Sequence, residues 1–264
     1  NMGFLSKTLL PDGTEIPGTN FDYNYLQHRK VDVVSSALDF ILPFEKYKIT
    51  AGAKVSFTNT RNGINYDTSD PTLVQDDYFR YKEQIYALYA DYSREFSERF
   101  SMQLGLRMEH TRTTGISEAK DTEDKHDYTR LFPTVYLLYS PTDGHALNFS
   151  FSNRISRPSQ NMVNPFPFYQ NKYTYACGRE DLKPSYTYNA ELGYTLKNNF
   201  NVSAYYSYSD DVFFQVVDLD AETNVTSFLW ENFMQTHAFG LNNSYTFRTV
   251  SYTHLRAHET DSYL

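Results

Sequence analysis

Apolar and polar residues alternate along most of this chain. From Phe100 to Thr111, Phe100, Met102, Leu104, Leu106 and Met108 fall on one side, and Ser101, Gln103, Gly105, Arg107, Glu109 and Thr111 on the other. A side-chain period of two held over about twelve residues predicts a long β-strand. The same division recurs from Tyr188 to Lys197, with Tyr188, Ala190, Leu192, Tyr194 and Leu196 opposite Asn189, Glu191, Gly193, Thr195 and Lys197. It is repeated in Tyr47–Thr58, Tyr86–Tyr92, Val135–Tyr139, Leu147–Phe151, Phe200–Tyr208 and Phe239–Phe247. The pattern predicts about ten strands, many longer than the five or six residues usual in globular sheets.

The connections fall into two kinds. Short polar turns are expected near Pro43–Lys46, Ser97–Arg99, Pro141–Gly144 and Lys197–Asn199. Longer segments lie between them, at Arg61–Asp77, Ile116–Tyr128, Ile155–Pro184 and Asp218–Asn224. An up-and-down antiparallel arrangement puts all the short turns at one end and all the long segments at the other. Transmembrane β-barrels have this asymmetry.

Charge follows the same division. The net charge of the 264 residues is −8, and the four long segments contribute −3, −3, +2 and −3 in chain order, a total of −7. The strands are therefore nearly neutral, as a wall in lipid must be, since Lys or Arg facing the bilayer midplane costs about 2–4 kcal/mol. A polyphosphate backbone would be repelled by the acidic excess, which argues against nucleic acid as a partner. Mean hydropathy is −0.59. No apolar run nears the roughly 18 residues of a spanning helix.

Composition sharpens the choice between core and lipid. The chain has 24 Tyr, 20 Phe and one Trp. Many of the tyrosines (Tyr78, Tyr81, Tyr128, Tyr139, Tyr186, Tyr188, Tyr206 and Tyr208) lie near predicted strand ends, where an interfacial girdle would sit. Strands of ten or more residues are long enough to cross a bilayer at a tilt. These features favour an all-β, antiparallel up-and-down transmembrane barrel over a soluble sandwich or propeller. Lys54, Arg107, Glu109 and Glu191 fall on the polar face, where they are expected to face a lumen or pair with groups inside it.

Several segments resemble one family. They are Tyr128-Thr129-Arg130-Leu131-Phe132-Pro133, the run Asn148 to Pro158 ending Arg154-Ile155-Ser156-Arg157-Pro158, Asn164-Pro165-Phe166, Leu182-Lys183-Pro184 and Glu191-Leu192-Gly193-Tyr194. Together with Tyr89–Ser93 and Leu104–Glu109, this set resembles the outer-membrane β-barrel family of TonB-dependent receptors, of the kind typical of Bacteroidota. Family members usually read Gly-Asn-Pro where this chain has Gly178-Arg179-Glu180, after Cys177. The resemblance implies a 22-stranded barrel in the outer membrane of a Gram-negative bacterium, with a plug domain in the same full-length chain. It also implies drive from the TonB complex through segments absent here, and a possible surface lipoprotein partner.

On this reading the chain is a partial barrel: residues 1–20 a loop or partial strand, 21–250 about ten strands of the 22 the resemblance implies, and 251–264 a non-family tail where alternation stops. The expected function is nutrient import (siderophore, glycan fragment or peptide). Two alternatives stay open: a small non-transporting outer-membrane barrel with a binding or structural role, and a secreted carbohydrate-binding β-protein.

No catalytic constellation, Gly-rich phosphate loop or nucleophile elbow is found, and no cofactor is expected. His254 and His258 have helical ligand spacing but lie in the tail. Glu118, Asp121, Glu123, Asp124 and Asp127 lack the spacing of a calcium loop and read as a solvated segment, so no metal is expected. The net-positive segment Ile155–Pro184 is the first choice for ligand contact. Its aromatic residues Phe166, Phe168, Tyr169, Tyr173 and Tyr175 offer stacking faces, and Arg157, Lys172 and Arg179 offer cations for a carboxylate or phosphate. The competing reading has its aromatics and four prolines packing it against the barrel mouth.

Overall fold

The computed structural model describes residues 2–7, 9–16, 21–68, 76–197 and 199–246. The proposed tail, with His254 and His258, lies outside them. Nine long strands run antiparallel in sequence order: β2 (Phe21–Pro43), β3 (Tyr47–Thr68), β4 (Asp77–Ser97), β5 (Phe100–Ser117), β6 (Thr122–Tyr139), β7 (His145–Ser156), β10 (Ser185–Leu196), β11 (Phe200–Asp220) and β12 (Val225–Tyr245). Three short strands complete one sheet: β1 (Met2–Ser6) beside β2, and the hairpin β8 (Phe168–Asn171) and β9 (Thr174–Cys177) beside β12. A single helical turn, α1 (Gln160–Val163), precedes that hairpin.

The registers put the alternating residues on two faces. Glu109 pairs with Ala87 and Ala87 with Lys54, so these share one face, here called inner. Leu106, Leu88 and Phe40 belong to the other, outer face and are about half exposed, as are Leu192 and, more so, Leu241. Single exposed leucines are ordinary, but a continuous apolar face is not, and lipid is the solvent that suits it. Rings border this face. Tyr47 stacks on Phe44 at 4.5 Å near the short-turn end, and Phe57 meets Tyr86 edge-on at 5.8 Å farther out. Along β4, the ten steps from Tyr86 to Phe96 span about 33 Å, or about 23 Å at a tilt of about 45°, which matches the height of a transmembrane barrel's apolar band.

On the inner face, glycines make room for large rings. A Cβ on Gly240 would lie 2.1 Å from the Tyr205 ring, and one on Gly52 would lie 2.6 Å from the ring of Tyr89. Tyr89 in turn hydrogen-bonds Asp39 through its hydroxyl.

The short turns lie where the pattern placed them. The long segments differ from expectation. β5 runs to Ser117 and β6 restarts at Thr122, so most of 116–128 is strand, and β11 and β12 are likewise joined by a tight turn after Asp220. β3 continues to Thr68, well into the segment expected to be loop. Beyond the lipid band a strand needs no apolar face. There the ladder is held by backbone bonds and cross-strand charge pairs such as Arg112 with Asp127 at 2.8 Å. The segment between β7 and β10 behaves differently: it carries α1 and the β8–β9 hairpin.

Candidate functional site at the outer mouth

Residues 157–184, here called the strap, fold back over the inner face at the end carrying the long hairpins. Val163, Phe166 and Leu182 of the strap form a buried cluster with Ile64 of β3 and Phe79 of β4. Tyr25, Tyr66, Tyr81, Phe168, Phe213 and Trp230 pack around it. Each such buried apolar side chain contributes roughly 1.5–3 kcal/mol. Gly178 allows the strap to close on itself, because a Cβ there would lie 2.3 Å from the carbonyl of Asn164. Its N–H donates to that same carbonyl at 2.9 Å, and the N–H of Arg179 donates to the carbonyl of Met162 at 2.7 Å.

Polar ties fix both ends of the strap. Gln160 accepts from Arg29 of β2 and donates to Thr60 of β3, and Tyr66 donates to the carbonyl of Pro167 at 3.1 Å. On the far side β9 pairs in parallel with Thr226–Leu229 of β12. Arg179 donates to Glu231 at 2.9 Å, and Asn232 both accepts from the Lys183 N–H and donates to the Lys183 carbonyl. The strap therefore bridges strands that are far apart in the order of the sheet.

Arg157 is the main electrostatic pin. Its Nη2 donates to Glu109 at 2.6 Å and to Thr111 at 3.2 Å, and its Nε lies 3.6 Å from Glu83 without a hydrogen bond. Burial alone would lower the Arg157 pKa, but the Glu109 bond and the surrounding negative charge outweigh it and hold the guanidinium above its ordinary value. Arg107 also reaches Glu109, at 2.5 Å. Elsewhere in the strap, burial pushes the Cys177 thiol up and makes it a poor nucleophile.

The residues singled out from sequence separate into groups. Phe166 is 1% exposed and belongs to the buried cluster, while Arg157 is committed to β5. Phe168 meets Tyr25 edge-on at 5.6 Å. Tyr169 and Tyr175 face each other across the hairpin at 5.3 Å, with half-buried Lys172 and exposed Tyr173 at its tip. Arg179 is held by Asp181 and Glu231. Lys54, Arg107, Glu109 and Glu191 share the inner face, but only Arg107 and Glu109 meet the strap's network. The acids of 118–127 are not gathered: Asp127 pairs with Arg112, Glu123 with Lys125 and Asp124 with His126.

A cavity of about 340 Å³ opens between the strap and β6. Its walls include Tyr81, Tyr128, Tyr186, Arg130, Lys183 and Asp211. None of these was among the site residues named from sequence. The Arg130 guanidinium lies 4.8 Å over the Tyr186 ring. Asp211, at φ 52°, sits in a bulge where the register of β11 slips between Ser209 and Val212. Bulges of this kind re-aim side chains beside sites. The break in alternation at Ser209-Asp210-Asp211 was the available signal.

Residues 3–260 match the family model described as "Outer membrane protein beta-barrel family". The chain belongs to this outer-membrane β-barrel family. The match places it in the outer membrane of a Gram-negative bacterium and agrees with the apolar outer face. No curated protein matches the sequence significantly. Among solved structures, the fold resembles the copper transporter OprC (TM-score 0.62, 13% identity, 87% of this chain and 41% of that one). It also resembles the ferric enterobactin receptor PfeA of Pseudomonas aeruginosa (0.54, 13%, 94% and 38%) and the ferric yersiniabactin uptake receptor FyuA of Yersinia pestis (0.51, 16%, 86% and 33%). The chain thus spans about two fifths or less of the length of these structures.

Proposed function

We propose that this chain is a portion of the barrel of a TonB-dependent outer-membrane receptor that imports a scarce nutrient, with the strap and its cavity forming part of the ligand-contacting mouth. The observation that carries the reading is the inward-folded strap beside an open, mixed polar and aromatic cavity at one end of a lipid-facing sheet. A wall with only a structural role does not need such a cavity.

The sheet's edges favour a larger barrel. Among the described residues β2 is paired on its outer edge only over Phe21–Tyr25, and β12 only over Thr226–Leu229. Long stretches of backbone N–H and C=O on both edges therefore lack ladder partners, which a bilayer does not tolerate, and further strands must meet them. The similar structures named as transporters or uptake receptors support the reading, since each is more than twice as long as the matched part.

On this proposal Tyr173, Lys172, Tyr169 and Tyr175 at the hairpin tip, together with Arg179, meet the incoming ligand. Phe166, Phe168 and Arg157 hold the tip in place. Lys54, Arg107, Glu109 and Glu191 face the lumen and the plug domain of the full-length chain. The TonB complex and a surface lipoprotein are the other expected partners.

The test is genetic. The adjoining coding sequence is expected to specify an upstream plug, and growth on the imported nutrient is expected to require both this gene and TonB. A signal peptide directly before residue 1, or uptake unaffected by loss of TonB, would contradict the proposal.

A further inference from the structure

Charge at the strap's anchor does not balance. Three guanidinium groups, those of Arg107, Arg130 and Arg157, stand near two carboxylates, Glu83 and Glu109, and only Arg107 and Arg157 reach them. Glu109 stands opposite Arg130 in the β5–β6 register, yet it is drawn to Arg107 and Arg157. Arg130 has no carboxylate within 4.0 Å among the described residues, and it is held in the cavity wall by the face of Tyr186. The other acids lining the cavity do not remove the surplus. Asp127 is paired with Arg112 and His110, and the charge of Asp211 is matched by that of Lys183 across the same space. Arg157 is also among the lining residues, and its buried Nε, 3.6 Å from Glu83, makes no hydrogen bond. Around these cations the walls are apolar or aromatic: Leu182, Pro158, Pro184, Tyr81 and Tyr128. About 340 Å³ falls within the range of small-molecule pockets.

We propose that the cavity beneath the strap is a subsite for one small organic carboxylate, its oxyanion received by Arg130 and its apolar body lying against the tyrosines and prolines. The inference deepens the receptor reading by naming the chemistry of what enters at the mouth. Arg130 has the planar donor fork that a carboxylate matches, and stacking on Tyr186 fixes its orientation before a ligand arrives. The strap supplies one wall of the cavity, so the site exists only while Arg157 and Phe166 hold the strap down.

The experiment is binding to the full-length receptor in detergent, measured by calorimetry with three probes: benzoate, the uncharged benzyl alcohol, and inorganic phosphate. Benzoate is expected to bind, with the other two much weaker. Arg130→Gln should weaken benzoate about tenfold or more, Arg130→Lys less than that, and Lys183→Gln about threefold. Asp211→Asn removes a like charge from the wall and should tighten benzoate about threefold, a gain that a damaged fold would not produce. Circular dichroism and heat-modified gel migration establish that each variant retains its barrel. The inference is overturned if benzoate does not bind, if benzyl alcohol or phosphate binds equally well, or if Arg130→Gln and Asp211→Asn leave its affinity unchanged. Binding to purified protein does not depend on TonB, so this inference and the import reading fail separately.

Discussion

The connections at the long-hairpin end of the sheet behave in two ways. The turns after Ser117 and Asp220 and the strand ends at Thr68 and Asp77 simply prolong the ladder outward, in segments rich in Asp and Glu. The strap instead turns inward and is bound to both sides of the inner face. Length contributes to the difference, but chemistry decides it. The acidic hairpins have too few apolar side chains to bury, whereas the strap has Val163, Phe166 and Leu182 for a core and Arg157 for the carboxylates beneath it. A loop at a barrel's mouth becomes part of the wall when it brings its own core residues.

The largest expected effect comes from removing that core. Phe166→Ala should cost about 3–5 kcal/mol of strap stability and open residues 157–184 to limited proteolysis, making the strap behave like the hairpins. Unchanged cleavage would show that the strap is held by something else.

The strand wall was largely legible in the sequence because a period of two is a local property, and each face declares its solvent. Leu104, Leu106 and Met108 could be placed without knowing their neighbours. Packing of the strap against the mouth was one of two readings the sequence left open; the pin that fixes it was not legible, because Arg157 finds Glu109 across 48 positions of chain, and no spacing rule marks that pair. The extended hairpins were misread for a related reason. Outside lipid the apolar signal fades while the ladder continues, so Thr122–Asp127 looked like loop yet folds as strand. Arg130 was visible as part of a motif, but its role depends on Tyr186, from another strand, and on the surplus of guanidinium groups around Glu109.

On the lipid side of the comparison, Leu192→Lys puts a cation on the outer face and should destabilise the barrel by about 2–4 kcal/mol in urea titration. Ser150→Lys, on the inner face opposite Glu191 of the neighbouring strand, should change it little. Equal losses would show that the faces have been assigned wrongly.

Glu109→Gln leaves Arg157 without its best partner and is expected to cost about 2 kcal/mol, read as earlier release of the strap in the same proteolysis assay. The strap's own cysteine gives a finer measure. Cys177, with its raised pKa and partial burial, should react slowly with a maleimide at neutral pH and faster in the Phe166→Ala protein. Rapid labelling of the unaltered protein would contradict the packing described above. The smallest effect belongs to the tip: Tyr173→Ala, at an exposed ring, should change stability by no more than about 0.5 kcal/mol.

The most direct test of the strap as a fixed part of the wall is amide hydrogen exchange on the full-length protein in outer-membrane vesicles. The account predicts that the amides of Gly178, Arg179 and Thr226, which bond within the strap or between strap and β12, exchange as slowly as the strand interiors of β4 and β5. The fully exposed 221–224 turn should exchange fast. Strap amides that exchange as quickly as that turn would contradict the account.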